Sequence, residues 1–305
     1  MTNFETSREF ARSLDQADEL RHFRDHFSIP QDRDGRRNIY VCGNSLGLRP
    51  DSAAVLVNEV LEDWANLGVE GHVRARNPWL PYHRLATGGF AMLTGALESE
   101  VVAMNTLTVN LHIMMASFYR PDATRNKIII ESTAFPSDYF AVASQIRLHG
   151  YDPEECLVEW VPRDDQVLHD EDLEALLDRH AGEVALLLLP GVQYYSGQVL
   201  DMKKHCQLAR DAGCNIGLDL AHAIGNVSLE LHDWGPDFAA WCTYKYLNSG
   251  PGAVAGAFVH SRHHGLDTSR YLKGWWGHEE STRFKMAHIF EPAEGAERWQ
   301  MSNPP

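Results

Sequence analysis

From Lys127 onward, apolar residues fall into short unbroken runs separated by longer stretches in which they recur every three or four positions. KIIIES (127–132), CLVEWV (156–161), VALLLLP (184–190) and CNIGLDL (214–220) are the runs. PSDYFAVASQIRLHG (136–150), DEDLEALLDRH (170–180) and DMKKHCQLARDAG (201–213) are the periodic stretches, the first with Pro136 at its start and Gly150 at its end. A continuous β-branched or leucine run bounded by turn residues fits a strand buried on both faces, and the periodic stretches fit helices. Strand and helix alternating in this way predict an α/β domain with a mostly parallel sheet covered by helices. Right-handed crossovers would then gather the strand ends on one edge, where ligands bind.

The remaining segments are less regular. Phe4, Phe10, Leu14, Leu20 and Phe23 lie at roughly helical spacing among charges over 4–27, which predicts an amphipathic arm. QDRDGRRN (31–38) is a polar loop, and Gly43 and Gly47 around Asn44 and Ser45 suit a turn of close backbone approach. Pro50, Asp51 and Ser52 open a helix that stops at Gly68. A second helix is expected over 81–96, then a short apolar segment at 101–105. Thr106, Leu107 and Thr108 open the helix that follows, and a helix start offers free N–H groups and the positive dipole end to a phosphate. Thr108 could equally be a plain N-cap. VAGAFVH (254–260) reads as a further strand, hairpin-connected and antiparallel.

Candidate chemistry concentrates between Cys214 and Gly252. Asp219 ends one apolar run and Lys245, between Tyr244 and Tyr246, follows another, DFAAWCTY (237–244). Alone, such an Asp is an ordinary cap or turn residue and such a Lys an ordinary surface lysine. Together they are an acid and an amine delivered by two strand ends 245 − 219 = 26 residues apart, room for a crossover and a return strand. That pair is what pyridoxal phosphate needs: an amine for its aldehyde and a carboxylate for its ring nitrogen. His222 lies three residues beyond Asp219. The set Asp219, His222, His232 and Asp233 has no metal-motif spacing, so no metal is expected.

The segments GNSLGL (43–48), MNTLTVNLH (104–112), FPSD (135–138), DLAHAIGN (219–226), LHDWGPDFAAWCTYKYLNSGPG (231–252), GWWGHE (274–279), STRFKM (281–286) and SNPP (302–305) together resemble kynureninase. That family has a pyridoxal-phosphate-binding, aspartate-aminotransferase-like large domain. It cleaves L-kynurenine, or its 3-hydroxy form, to anthranilate or 3-hydroxyanthranilate and L-alanine in tryptophan catabolism. The resemblance implies pyridoxal 5'-phosphate contacts at Leu107, Thr108, Phe135, Asp138, Asp219, His222, Tyr244, Lys245, Trp275 and Asn303. It implies substrate contacts at His72, Ser302 and Asn303. Lys245, Asp219 and Tyr244 would be catalytic: the lysine moves the substrate α-proton, the aspartate pairs with the cofactor ring nitrogen, and the tyrosine relays a proton. Phe135 would stack on the cofactor ring. A contact the family makes at the position of Pro190 is in doubt, since proline has no side-chain donor. Trp275 would reach the partner's cofactor phosphate in a homodimer with a shared active site.

The resemblance also divides the chain into an arm and loop (1–50), a large domain (51–290) and the start of a small domain (291–305). Kynureninases continue for roughly a hundred residues, including an arginine that grips the substrate carboxylate, so weak or no turnover is expected without them. Two other readings stay open: a non-catalytic fragment that retains the fold, and a related aminotransferase or cysteine desulfurase. The desulfurases have a histidine directly before the lysine, where this chain has Tyr244.

Composition narrows the partners. The net charge of −15 argues against nucleic acid and anionic membranes. No apolar run approaches the roughly eighteen residues of a membrane span, and the start lacks a signal-peptide pattern. Five scattered cysteines without a C-x-x-C pair fit a reducing cytoplasm better than a disulfide framework.

Overall fold

The computed structural model describes residues 4–304; the first three residues, and the Pro305 that ends the SNPP segment, lie outside it. The N-terminal arm is shorter than its apolar spacing suggests. Helix α1 (Arg8–Ala17), capped by the Ser7 hydroxyl, gives way to a 3-10 turn over Arg21–His26. A two-stranded pair follows, β1 (Phe27–Ser28) with β2 (Arg49–Pro50). Helix α2 (Ala53–Leu67) starts after Ser52 and ends at Gly68, as expected, and short α3 (Gly71–Arg74) follows. The stretch 81–96 is a 3-10 turn leading into α4 (Thr87–Thr94).

The central unit then runs β3 (Val101–Ala103), α5 (Leu107–Phe118), β4 (Lys127–Glu131), α6 (Pro136–Leu148), α7 (Pro153–Cys156) and β5 (Leu157–Trp160). It continues through α8 (Asp170–Arg179), β6 (Val184–Pro190), α9 (Met202–Ala212), β7 (Asn215–Asp219), α10 (Leu231–Trp234), β8 (Phe238–Trp241) and β9 (Gly256–Val259). A last short helix, α11 (Glu280–Arg283), precedes the C-terminal 3-10 turn at Gly295–Trp299.

Seven strands form one sheet in the order β3-β9-β8-β7-β6-β4-β5. The run from β5 to β8 is parallel, and β9 pairs antiparallel with both β8 and β3. Because successive side chains point to opposite faces, each all-apolar strand feeds two cores. Ile129, Leu187 and Leu189 pack on one side with Leu173, Leu177 and Cys206 of α8 and α9. Ile128, Ile130, Leu186 and Leu188 pack on the other with Leu111, Met114 and Val142 of α5 and α6. Sheet covered on both faces is why these runs do not alternate with polar residues.

Residues after 290 pack against the central unit. Ala296, Trp299 and Gln300 are fully buried. The Trp299 indole lies 5.1 Å from the Tyr271 ring, and its Nε1 donates to Ser117 Oγ at 3.0 Å. Trp299→Ala is therefore expected to destabilise the fold by about 3–5 kcal/mol, read as a lower urea midpoint. Among the described residues no helix is long and apolar enough to cross a membrane.

Candidate active site

The carboxyl edge of the parallel strands carries a cavity of about 500 Å³. Glu131 ends β4, Pro190 ends β6, Asp219 ends β7, and Tyr244 and Lys245 lie just beyond β8; all of them line it. The register Pro190↔Asp219 sets the floor. Thr106, Leu107 and Thr108 bring the start of the twelve-residue helix α5 to the same cavity. Asn44 and Ser45 close it from the N-terminal side. That turn sits tight against the lysine loop: Gly47 N donates to Tyr244 O at 2.8 Å. A Cβ on Gly47 would come within 2.2 Å of Lys245 O, so only glycine allows this approach.

Lys245 Nζ lies 2.8 Å from His222 Nε2. Burial and then the lysine charge lower the His222 pKa, so a neutral imidazole accepts a hydrogen bond from the amine. Asp219 is 8% exposed, and its Oδ1 accepts from Ala221 N at 2.7 Å. Two further acids line the cavity. Burial, and then the charge on Asp219, push the Asp138 pKa up; burial pushes Glu131 to about 8, against a backbone hydrogen bond and with a smaller push from Asp219. Tyr244 is raised to about 12, first by burial and then by Cys242, so its phenol keeps its proton at neutral pH.

Glu131 makes a testable sign. Its folded pKa of about 8 stands above the ordinary carboxyl value of 4.5. The folded state thus binds the extra proton between those values, and stability falls as pH rises through that window. Glu131→Gln is expected to remove this slope and stabilise the cofactor-free protein at pH 8, by at most about 5 kcal/mol. Urea titrations at pH 5 and pH 8 check it.

Of the residues proposed from sequence, Leu107, Thr108, Phe135, Asp138, Asp219, His222, Tyr244 and Lys245 converge on this one cavity. Thr108 is not the α5 cap. Thr106 holds that position, and Thr108 Oγ1 lies 2.6 Å from Ser137 Oγ, tying the starts of α5 and α6 together. His72, Trp275, Ser302 and Asn303 are not brought to the cavity within one chain. His72 packs edge-on to Trp79, Trp275 Nε1 donates to Arg283 O, and exposed Ser302 bonds Asn303. Pro190 lines the cavity and contributes no donor. Glu131, Ser137, Gln193 and Tyr194 were not singled out from sequence. Of these, Ser137 alone falls inside a segment of the resemblance, FPSD.

The donor set suits pyridoxal phosphate. Free first-turn N–H groups of α5 and the Thr108 hydroxyl match a phosphate. The Phe135 ring is half-exposed toward the opening, and a buried carboxylate and an amine share the interior. The histidines of the sequence set separate: His232 lies at the far edge of the sheet, where its Nδ1 is 3.0 Å from Glu100 Oε1. His260 completes a trio with them. These donors are already satisfied by the protein itself. Leu97 N and Ser261 N donate to Glu100, and Arg262 N donates to His260 Nδ1.

No family model matches the chain. By fold it is similar to a cysteine desulfurase of Escherichia coli, with a TM-score of 0.71 and 17% identity over 93% of this chain and 67% of that one. A cysteine desulfurase of Thermococcus onnurineus gives 0.65 and 17%, over 87% of this chain and 63% of that one. By sequence it is 54% identical over 304 residues to a kynureninase of Myxococcus xanthus, covering 99% of this chain and 71% of that protein. It is 55% identical over 300 residues to a kynureninase of Stenotrophomonas maltophilia, covering 98% and 70%. At that identity over that length, the chain belongs to the kynureninase family.

Proposed function

We propose that this chain is a pyridoxal-phosphate-dependent hydrolase that cleaves L-kynurenine to anthranilate and L-alanine. The observation that carries the proposal is the convergence of Lys245, Asp219 and the start of α5 on one cavity. The cofactor, when bound, supplies an electron sink for the substrate α-carbon. Lys245 would hold it and, as a free amine, move the proton at substrate Cα. Asp219, fixed by Ala221 N, would keep the ring nitrogen protonated, with buried Asp138 beside it. Thr108 and the α5 N–H groups would bind the phosphate. Phe135 would stack on the ring, and His222 would steady the amine. Tyr244, a phenol at neutral pH, would donate a proton to the leaving alanyl carbon.

The reading extends to a homodimer. Helix α2 buries none of its residues, and Val55, Leu56, Val57, Leu61 and Trp64 face outward. Exposed apolar surface of that extent supports an interface. Trp275, 47% exposed, would contact the cofactor phosphate of a second copy, with Ser302, Asn303 and His72 lining the shared site. Five free cysteines suit a reducing cytoplasm, where this step would serve tryptophan breakdown and supply of NAD precursors. A desulfurase is not favoured, because Tyr244 stands where that family has histidine.

The test is direct. Purified protein is mixed with pyridoxal phosphate and its visible spectrum recorded, then L-kynurenine is added and anthranilate fluorescence followed. Visible absorbance from bound cofactor together with anthranilate supports the reading. Failure of the cofactor to bind overturns it, and bound cofactor without any anthranilate would leave the cofactor site standing and count against kynurenine cleavage by this chain.

A further inference from the structure

A kynurenine-type substrate carries a flat aryl ketone, yet His72, Ser302 and Asn303 lie outside the cavity of their own chain. The aromatic groups that do line it are Phe135, Tyr194, Tyr244 and His222. Tyr194 and Phe135 meet edge to face, with ring centroids 5.3 Å apart at 88°. On its other side the Tyr194 ring is 6.5 Å from that of His222, the partner of Lys245. Tyr194 is 38% exposed and lines the cavity at the sheet edge. It thus offers a partly uncovered aromatic surface in the cavity that holds the reacting amine.

That surface is held rigidly. Gln193, 2% exposed, donates from Nε2 to Thr133 O at 2.9 Å and Thr133 Oγ1 at 3.1 Å. Its Oε1 accepts from Tyr195 N at 2.6 Å and Ser196 N at 2.9 Å. Thr133 precedes Phe135 by two residues and Gln193 adjoins Tyr194, so one amide sets the spacing of the two rings. Preorganised aromatic surface of this kind favours ring binding without an ordering penalty.

We propose that Tyr194 receives the aromatic ring of the substrate, and that Gln193 is the positioning residue that fixes it against Phe135. This rests on the kynurenine reading above and names the part of the site that reads the aryl group.

The test compares the holoenzyme with its Tyr194→Ala, Tyr194→Phe and Gln193→Ala variants. It measures KM and kcat for L-kynurenine, affinity for anthranilate by fluorescence, and affinity for L-alanine by the visible absorbance of the bound cofactor. Y194A is expected to raise KM and weaken anthranilate binding roughly five- to tenfold, the scale of one lost aromatic contact. L-Alanine, which has no ring, should stay within about twofold. Y194F should match the unaltered enzyme, and Q193A should shift the two ring-dependent quantities in the same direction with L-alanine affinity held. Unchanged anthranilate binding in Y194A overturns the proposal. So does an equal loss for L-alanine, which would assign Tyr194 to the cofactor or the alanyl portion. Absence of turnover in the unaltered holoenzyme would count against the kynurenine reading, while the anthranilate comparison would still decide Tyr194.

Discussion

Lys245→Ala is expected to lower anthranilate formation by roughly 10⁴-fold or more, because one side chain both carries the cofactor and moves the α-proton. The surroundings argue for a specific loss. Lys245 Nζ is 2.8 Å from His222 Nε2, and its loop is clamped through Tyr244 O and Gly47 N. Those backbone contacts do not involve the amine, so K245A should fold and keep its urea midpoint. The visible absorbance of lysine-bound cofactor should vanish with the activity. Activity within tenfold of the unaltered chain would place the reacting amine elsewhere.

Asp219→Asn is the second large effect. Asparagine keeps the side-chain shape and the oxygen that accepts from Ala221 N at 2.7 Å, so the strand end should be preserved. What goes is the negative charge beside the cofactor nitrogen. Asp138 is held toward its protonated form by burial and by Asp219. Removing that charge frees Asp138 to ionise in its place, and partial recovery of the site is built into the geometry. The expected loss in kcat is therefore about a hundredfold to a thousandfold, the scale of removing one preorganised electrostatic contact. The double variant D138N/D219N should lose more than the sum of the two single changes, because the two carboxyls share one role. Additive losses would separate them.

The sheet was legible because its strands are buried on both faces and read as unbroken apolar runs, such as IIIE and VALLLLP. Asp219 and Lys245 were legible for the same reason: one ends such a run and the other lies four residues past one, and parallel strands deliver their ends to one edge. Glu131 ends a run just as visibly, but an acid there reads as a strand boundary. Only the sheet order, with β6 between β4 and β7, brings it to the same cavity as Asp219. Tyr194 is one tyrosine of a loop in the sequence, and its facing of Phe135 depends on the Gln193 bridge between two loops distant in the chain.

The tail shows the opposite case. EPAEGAERWQ carries no regular apolar period, and the burial of Ala296, Trp299 and Gln300 rests on Trp299 filling a space beside Tyr271 and Phe118. Nothing in local periodicity reports a gap of that shape. The arm illustrates weak local signals as well: five apolar residues at helical spacing gave only ten residues of α-helix, because none of that helix is buried and tertiary packing supplies most helical stability. Helix α2 is strongly apolar yet buries none of its residues, so amphipathic pattern alone did not tell which surface covers it.

The account depends above all on Lys245 being the amine that takes the cofactor. Pyridoxal phosphate is bound to the purified protein, the bond is reduced with borohydride, and the labelled peptide is sequenced by mass spectrometry. The label is predicted on the peptide that spans Tyr244, Lys245 and Tyr246, and should be absent from K245A. A label on another lysine, or none, would contradict it.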